Sequence, residues 1–300
     1  MITTRIDEYC KSKSGWKIVF QIFAGFLIML LGDLVSSLAL DFTFSAINAY
    51  DLPKWSYSAI RAVACIFVTY ALLYLYIKKI LKSTMTDFRI EKFSIKPVYV
   101  LCAFGMPLFV ILCLISTGGR FVDNQHGSEG IFGITMIALF SALKAGIIEE
   151  LIFRGYIMKF LESKWNKVVA ILLPSFIFGM LHITSMSEFN LGSVLLLLCA
   201  GTSVGIMFSF VTYENGSIWA SALIHIVWNM AMIGGIFEIS AISDTNVAFS
   251  FVLDSQNSFL TGGGFGVEAS VFAIVAYVGV SLLSLYFINN GKARRRNLSQ

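Results

Sequence analysis

Charged residues are scarce in this 300-residue chain, and their scarcity excludes an ordinary soluble domain. Asp, Glu, Lys and Arg make up 13% of the residues, hydrophobic residues make up 57%, and the mean hydropathy is +0.79. Soluble domains contain about 25% charged residues. The apolar residues also fall in blocks long enough to cross about 30 Å of hydrocarbon. The composition therefore predicts a polytopic membrane protein.

Cysteine is sparse as well, and its placement excludes two classes of structure. The chain has five cysteines, an odd number, and no two of them stand in a CxxC pair. Neither a disulfide framework nor a cysteine-ligated zinc site is therefore implied. The sequence also shows no coiled coil, no clear internal repeat and no separate soluble domain.

Eight apolar segments are candidate membrane spans, and they predict an all-α bundle of about eight transmembrane helices. The predicted spans are 16–40, 57–77, 97–117, 131–159, 167–186, 191–212, 218–239 and 268–288. The first is too long for a signal peptide, so we expect it to be retained. Residues 78–96 mix apolar and basic residues, which is typical of a short interfacial segment. Residues 240–267 contain TGGGFG and no Lys or Arg, and we expect a flexible external loop there.

Basic residues are concentrated in alternate connections between the spans, which predicts the orientation of the chain. The N-terminal arm, residues 78–96, the turn near Lys164 and the tail KARRR are rich in Lys and Arg, whereas the opposite connections carry only Lys54 and Arg120. Because loops rich in Lys and Arg stay in the cytoplasm, we expect both termini there. This distribution accounts for the net charge of +4 and the pI near 8.7, so the lipid bilayer is an expected partner and nucleic acid is not.

Three charged residues lie inside the fourth apolar segment, in GIIEELIFRGYI. Each of Glu149, Glu150 and Arg154 costs about 2.5–3.5 kcal/mol in a membrane span, and a purely structural span avoids them. Glu150 and Arg154 are four residues apart and can pair on one helix face. Glu149 lies about 100° around the helix, outside that pair. Because Glu149 lacks such a partner, we expect it to act as a general base.

Two further spans carry polar residues that point to the same site. PSFIFGMLHIT places His182 one turn after Phe178, and ASALIHIVWNM places His225 and Asn229 on one helix face. At about 1.5 Å per residue, these groups and Glu149 fall within about 10 Å of one another along the membrane normal. Together they predict one hydrolytic site. Taken singly, each has another interpretation: a packing histidine, an asparagine that joins helices, or an acidic pair on a proton or cation pathway.

These residues resemble the motifs of a known family. EExxxR matches Glu149, Glu150 and Arg154, FxxxH matches Phe178 and His182, and HxxxN matches His225 and Asn229. The three motifs in this order resemble the CAAX-protease and bacteriocin-processing family of intramembrane proteases, which includes the type II CAAX prenyl proteases. The resemblance covers residues 131–235. We therefore divide the chain into N-terminal helices at 1–130, a catalytic core at 131–235, and an external loop, last span and basic tail at 236–300.

The resemblance implies a bundle with a polar, water-filled cavity that faces the cytoplasm. In that cavity Glu149 would activate the attacking water. The residues that would position this water and stabilise the oxyanion are His182, His225 and Asn229. The residues that would support the site are Glu150, Arg154 and Phe178.

The resemblance leaves the metal open, since members of the family are described as metal-dependent or glutamate-dependent. A zinc ion would be held by Glu149, His182 and His225 in a His₂Glu set. Against this, the ligands come from three separate helices, and Asn229 is a poor zinc ligand but a good oxyanion donor. We therefore favour a glutamate-activated water without an obligatory metal.

The expected function is that of an intramembrane endopeptidase at the bacterial plasma membrane. Its substrate would be a peptide or a membrane protein, in peptide maturation, bacteriocin self-immunity or regulatory proteolysis, and nothing in the sequence shows prenyl specificity. Two other classes of function stay open. A non-catalytic scaffold or immunity protein would keep the fold and bind a partner. A proton-coupled transporter would use Glu149 and Glu150 as carriers, and it would be expected to show repeated halves with broken helices.

Overall fold

A computed structural model describes residues 4–46 and 52–297, with side chains described as far as residue 291, before the basic tail KARRR. The α-helices of this part are α1 (Arg5–Ser12), α2 (Gly15–Ala46), α3 (Lys54–Leu75), α4 (Pro97–Ser116), α5 (Gly127–Glu150), α6 (Met158–Lys164), α7 (Lys167–Leu181), α8 (Leu191–Asn215), α9 (Trp219–Met232), α10 (Ser258–Thr261) and α11 (Val271–Asn297). The strands are β1 (Gly119–Asp123), β2 (Phe237–Ser240) and β3 (Phe249–Leu253). Segments of wider π-helical geometry lie at Tyr76–Ile80 and Leu151–Ile157, and 3₁₀ turns lie at Met85–Phe88, His182–Ser185, Gly263–Phe265 and Val267–Ala269.

The predicted all-α polytopic membrane fold is confirmed. Within residues 4–46 and 52–297, seven helical segments are long and apolar enough to cross a membrane. A shorter apolar helix, Trp219–Met232, stands where the span 218–239 was expected. The fourth span is the longest, because α5, the π-helical segment and α6 form one continuous rod over Gly127–Lys164.

Residues 240–267, expected to form a flexible external loop, are folded, so the expectation of flexibility was wrong. β3 pairs antiparallel with β1 and parallel with β2, so the three strands form a mixed sheet in the order β1-β3-β2. Alternate strand residues, including Ile239, Phe251 and Leu253, are buried and pack in the same cluster as Trp228 of α9 and Tyr277 of α11. Apolar alternation over so few residues is a weak pattern beside the long membrane spans.

The chain connections gather at two opposite ends of the bundle. We call the first the basic end, made of residues 5–13, 78–96, 159–167 and 213–219. Contacts join its parts: Lys159 Nζ donates to Asp7 Oδ1 at 2.8 Å, and Lys96 Nζ donates to Glu214 Oε1 at 2.6 Å. Burial alone would raise the pKa of Asp7. Hydrogen bonds from Lys159, Ser163 and Thr4 instead hold this pKa well below its usual range.

The second end, which we call the sheet end, is made of residues 119–126, 185–193 and 233–270. Asn124 Nδ2 donates to the Asp244 carbonyl at 2.9 Å, and the Ser187 hydroxyl donates to the Gly264 carbonyl at 3.0 Å. The long helices run between the two ends. α7 and α9 start at the basic end and finish at the sheet end.

α7 and α8 approach closely along the small-residue pattern of α8. A Cβ atom on Gly201 would lie 2.6 Å from Gly179 Cα, and one on Gly205 would lie 2.7 Å from Ser175 Cα. Both obstacles are backbone atoms, so only glycine fits at these two positions. The contact fixes the end of α7, from which His182 projects, against α8.

Cysteine labelling should place the basic end in the cytoplasm and the sheet end outside, since Lys and Arg collect at the first. We expect Ser243→Cys to react with a membrane-impermeant maleimide in intact cells and Thr84→Cys to react only after lysis. Both positions are exposed, so protection cannot be ascribed to burial in the fold. The five native cysteines are replaced first in both variants. External labelling at 84 with protection at 243 would reverse the orientation.

Candidate active site

A cavity of about 340 Å³ lies among α5, α7, α8, α9 and the start of α11. The four side chains predicted to be catalytic all line it: Glu149, His182, His225 and Asn229. Phe178, predicted as a supporting residue, lines it as well. The structure therefore brings together residues that lie as much as 80 positions apart in the sequence.

Glu150 and Arg154 form a buried ion pair beside this cavity. Arg154 Nη1 donates to Glu150 Oε1 at 2.9 Å, and the two side chains are 2% and 0% exposed. Arg154 Nη2 donates to the Gly205 carbonyl at 3.2 Å, and the guanidinium lies 4.8 Å and 5.0 Å from the ring centres of Phe178 and Phe208. These rings add cation–π attraction to the charge pairing. The pair thus links α5 to α7 and α8.

Close contact between α5 and α9 brings the two carboxylates to His225. A Cβ atom on Gly146 would lie 2.6 Å from Ile226 Cγ1 and 3.0 Å from the Ile226 nitrogen. The backbones can approach this closely because position 146 has no side chain. Glu149 and Glu150 follow within one turn and face His225 across the helix contact.

His225 lies between the two carboxylates. Its Nδ1 is 3.3 Å from Glu150 Oε1, and its Nε2 is 3.9 Å from Glu149 Oε2. Because Glu150 Oε1 already accepts from Arg154, Nδ1 is the donor in this contact and carries a proton. Nε2 is therefore directed at Glu149 and the cavity. The imidazole ring stacks on Phe208 at 4.9 Å and 20°, which fixes its plane.

Glu149 and Glu150 occupy different environments although they are neighbours in the sequence. The side chain of Glu149 is 26% exposed, whereas that of Glu150 is fully buried. Glu150 Oε1 accepts from Arg154 and His225. Glu149 Oε2 and Glu150 Oε2 are both buried and accept no hydrogen bond from any residue that the structure describes. Because Glu149 lines the cavity and Glu150 does not, Glu149 is the carboxylate that is available to a molecule in the cavity.

His182 opens the 3₁₀ turn that follows α7. Its Nδ1 lies 2.8 Å from the Phe178 carbonyl oxygen. Because a carbonyl oxygen only accepts, Nδ1 holds the proton, and Nε2 of the neutral ring is left with a lone pair. Asn229 follows His225 by one turn of α9, and its side chain makes no hydrogen bond with the described residues. Its amide is free to donate into the cavity.

The cavity extends to the sheet end of the bundle. Ser185 and Phe265 line both this cavity and a second, outer cavity of about 630 Å³. Residues of the sheet end, from 185 to 193 and from 238 to 266, make up the outer lining. α7 ends at this sheet end and places His182 there, whereas residues 5–13 lie at the opposite, basic end. His225 lies near the middle of α9 and Asn229 one turn closer to the sheet end.

Glu268 is a cavity residue that the sequence did not predict. Trp228 Nε1 donates to Glu268 Oε2 at 2.9 Å, and the Tyr277 hydroxyl donates to the Glu268 carbonyl at 3.1 Å. Burial raises the pKa of the Glu268 carboxyl, although the hydrogen bond from Trp228 opposes the shift. Its position at the edge of the expected span 268–288 was the available sign, since a carboxylate beside a span is costly unless it serves a purpose.

Glu149, His182 and His225, the candidate metal ligands, are not gathered into a metal site in the structure. Over residues 4–46 and 52–297, no group of three or more His, Cys, Asp or Glu side chains is arranged to hold a metal ion. Glu149 and His225 face each other, but His182 does not complete a three-ligand set with them. The site therefore does not fit the His₂Glu pattern of a hydrolytic zinc centre.

Comparison with known proteins agrees with the motifs. Residues 131–231 match the family model described as Rce1-like, type II CAAX prenyl endopeptidase Rce1-like. A protein of Bacillus subtilis (strain 168), named "Putative membrane peptidase YdiL", is 24% identical over 180 residues, which are 58% of this chain and 68% of the relative. The predicted resemblance is confirmed, and the matched residues include every predicted site residue. Both comparisons support a membrane peptidase.

Proposed function

We propose that this integral membrane protein is an endopeptidase that hydrolyses a peptide bond with a water molecule activated by Glu149. The observation that carries the proposal is the Glu149 carboxylate. It is free of any hydrogen-bond partner in the described part of the chain, and it faces His225 in a cavity shared with His182 and Asn229. The substrate is a peptide or a membrane protein, and the uses implied by the resemblance are peptide maturation, self-immunity and regulatory proteolysis.

In the first step Glu149 takes a proton from water while the water oxygen attacks the scissile carbonyl carbon. His182 Nε2 accepts a hydrogen bond from the other O–H of this water and orients it, and this hydrogen stays on the attacking oxygen. The carbonyl oxygen becomes an oxyanion, which accepts a hydrogen bond from the Asn229 amide. Preorganised donors of this kind are worth about 3 kcal/mol each.

In the second step the tetrahedral intermediate collapses and the carbon–nitrogen bond breaks. Glu149 returns its proton to the leaving amine, which departs as the new N-terminus, and the carboxylate is ready for another cycle. His225 donates to Glu150 through Nδ1, and its Nε2 faces Glu149 and the cavity, where it helps to position the attacking water. Glu150 accepts a hydrogen bond from His225 and pairs with Arg154, so this ion pair holds the imidazole in place.

This proposed mechanism uses no metal, and it is supported by the placement of the donor side chains, which form no three-ligand group among the described residues. We therefore expect activity to persist after exhaustive chelation. Stoichiometric zinc that is lost together with activity in His182→Ala, and that alone restores activity after chelation, would contradict the proposal.

The test of the function is a search for new peptide ends in membranes. Membranes that contain the wild type are compared with membranes that contain Glu149→Gln at equal abundance, and new N-termini are mapped by mass spectrometry. We expect a set of termini that appears only with the wild type. Candidate substrates are then cleaved by the purified protein in lipid nanodiscs. Identical sets of termini for both proteins, at every level of expression, would favour a scaffold or an immunity protein.

A further inference from the structure

The two adjoining cavities are lined by acidic side chains and, within the part of the chain that the structure describes, by no Lys or Arg. Their carboxylates are Glu149 and Glu268 in the inner cavity and Glu188, Glu238 and Asp244 in the outer one. Burial and the charge of Asp244 raise the pKa of Glu238. Clefts lined by one sign of charge concentrate ligands of the opposite sign. The path from the sheet end to Glu149 therefore favours a positively charged peptide.

Glu268 is the one of these carboxylates that is held in place beside the catalytic groups. Its Oε2 accepts from Trp228 Nε1 at 2.9 Å, and its backbone carbonyl accepts from the Tyr277 hydroxyl at 3.1 Å. The Trp228 and Tyr277 rings are themselves in contact at 5.1 Å, and both residues are buried. Glu268 Oε1 receives no hydrogen bond from the described residues, and none of their Lys or Arg side chains pairs with it. The carboxylate is therefore held by hydrogen bonds but has no Lys or Arg partner in the described part of the chain.

We infer that Glu268 and its aromatic neighbours form a subsite for a Lys or Arg side chain of the substrate, close to the bond that is cut. An ammonium or guanidinium group would supply the missing partner of Oε1. Trp228, Tyr277 and Phe265 also line the cavity, and their aromatic rings can pack against the aliphatic part of the Lys or Arg side chain. Charge-assisted hydrogen bonds in an enclosed site are stronger than neutral ones, so the subsite would select for charge. This inference rests on the proposed function and makes Glu268 a residue that determines specificity.

The carboxylates of the outer cavity contribute to the preference for cationic peptides in a different way from Glu268. Glu188 is exposed, and Glu238 and Asp244 are partly exposed, so salt screens them more than it screens Glu268. They attract a cationic segment to the outer cavity. Glu268 then selects the substrate residue that occupies the inner cavity.

Glu268→Gln is the variant that separates charge from structure. The glutamine side-chain oxygen can still accept from Trp228 Nε1, so the support of the aromatic ring is kept while the charge is removed. The matched control is Glu8→Gln, which removes an exposed carboxylate at the basic end. A merely structural role for Glu268 would leave the preference for charged substrates unchanged in Glu268→Gln.

The experiment uses the full-length protein in nanodiscs and an N-acetylated peptide library made by cleaving a proteome after glutamate. Glu149-dependent new termini should show Lys or Arg enriched at one position near the cut. For a matched peptide pair with Lys or norleucine there, we expect kcat/KM to favour Lys by about tenfold to hundredfold. The ratio should fall close to one in Glu268→Gln, stay unchanged in Glu8→Gln, and favour an acidic residue in Glu268→Lys.

The outcomes that overturn the inference differ from those that overturn the proposed function. Glu149-dependent cleavage with no preference for Lys or Arg, or with a preference that Glu268→Gln leaves intact, refutes the subsite alone. An absence of Glu149-dependent cleavage refutes the endopeptidase. In that case the dissociation constants of the same peptide pair decide the inference. Binding that favours Lys about tenfold and depends on Glu268 supports it, and equal binding overturns it.

Discussion

Replacing Glu149 by glutamine should lower the rate of peptide-bond hydrolysis by about two to four orders of magnitude and leave the protein folded. Glutamine has the shape of glutamate but cannot take a proton from water. The Glu149 side chain is 26% exposed to the cavity, and its buried Oε2 has no hydrogen-bond partner within residues 4–46 and 52–297. The substitution therefore removes no hydrogen bond within the described residues, only the charge of the carboxylate that lies 3.9 Å from His225 Nε2. The measurements are kcat on a substrate identified as above and the melting temperature in detergent.

The neighbouring carboxylate supplies the matched control for this prediction. Glu150→Gln also exchanges a carboxylate for an amide, but Glu150 accepts from both Arg154 and His225 and is fully buried. Loss of its charge leaves the Arg154 cation without compensation, so we expect a lower melting temperature as well as lower activity. Equal loss of activity with equal, unchanged stability in Glu149→Gln and Glu150→Gln would contradict the assignment of roles.

Contacts made within one helix are the part of the site that the sequence predicts best. The spacing of Glu150 and Arg154 predicts a pair, and the structure places their atoms 2.9 Å apart. His182 and Phe178 are also four residues apart, and here the contact is between the imidazole Nδ1 and the backbone carbonyl. A fixed rise and a fixed rotation per residue determine such neighbours. The catalytic roles of these residues stay predictions.

Contacts between distant segments could not be predicted in the same way. Glu268 reaches the cavity because 3₁₀ turns carry residues 263–269 inward, and nothing in the span pattern marks these turns. The π-helical geometry of Leu151–Ile157 is equally hidden, since no sequence pattern distinguishes it from an α-helix. Strands β2 and β3 are short, and the pairing of β3 with β1 joins residues more than a hundred positions apart. Each feature depends on tertiary packing, which a single sequence does not display.

Removing the charge of Arg154 should destabilise the protein by about 3–5 kcal/mol, the largest effect on stability that we expect from one substitution in this site. Arg154→Met keeps an unbranched apolar side chain between the rings of Phe178 and Phe208 but leaves Glu150 as an unpaired, buried anion. It also removes the hydrogen bond to the Gly205 carbonyl. Thermal unfolding in detergent and reversible unfolding in denaturant both measure the change.

A double-mutant cycle distinguishes loss of the pair from loss of packing. Adding Glu150→Gln to Arg154→Met should recover part of the lost stability, because the buried charge disappears together with its missing partner. Lys167→Met is the matched control, since Lys167 lies 3.8 Å from Glu162, is 55% exposed and should cost at most about 1 kcal/mol. If the two changes were simply additive, with no recovery, Arg154 would stabilise the site by packing against its aromatic neighbours. The ion pair between α5 and the π-helical segment would then serve only to orient His225.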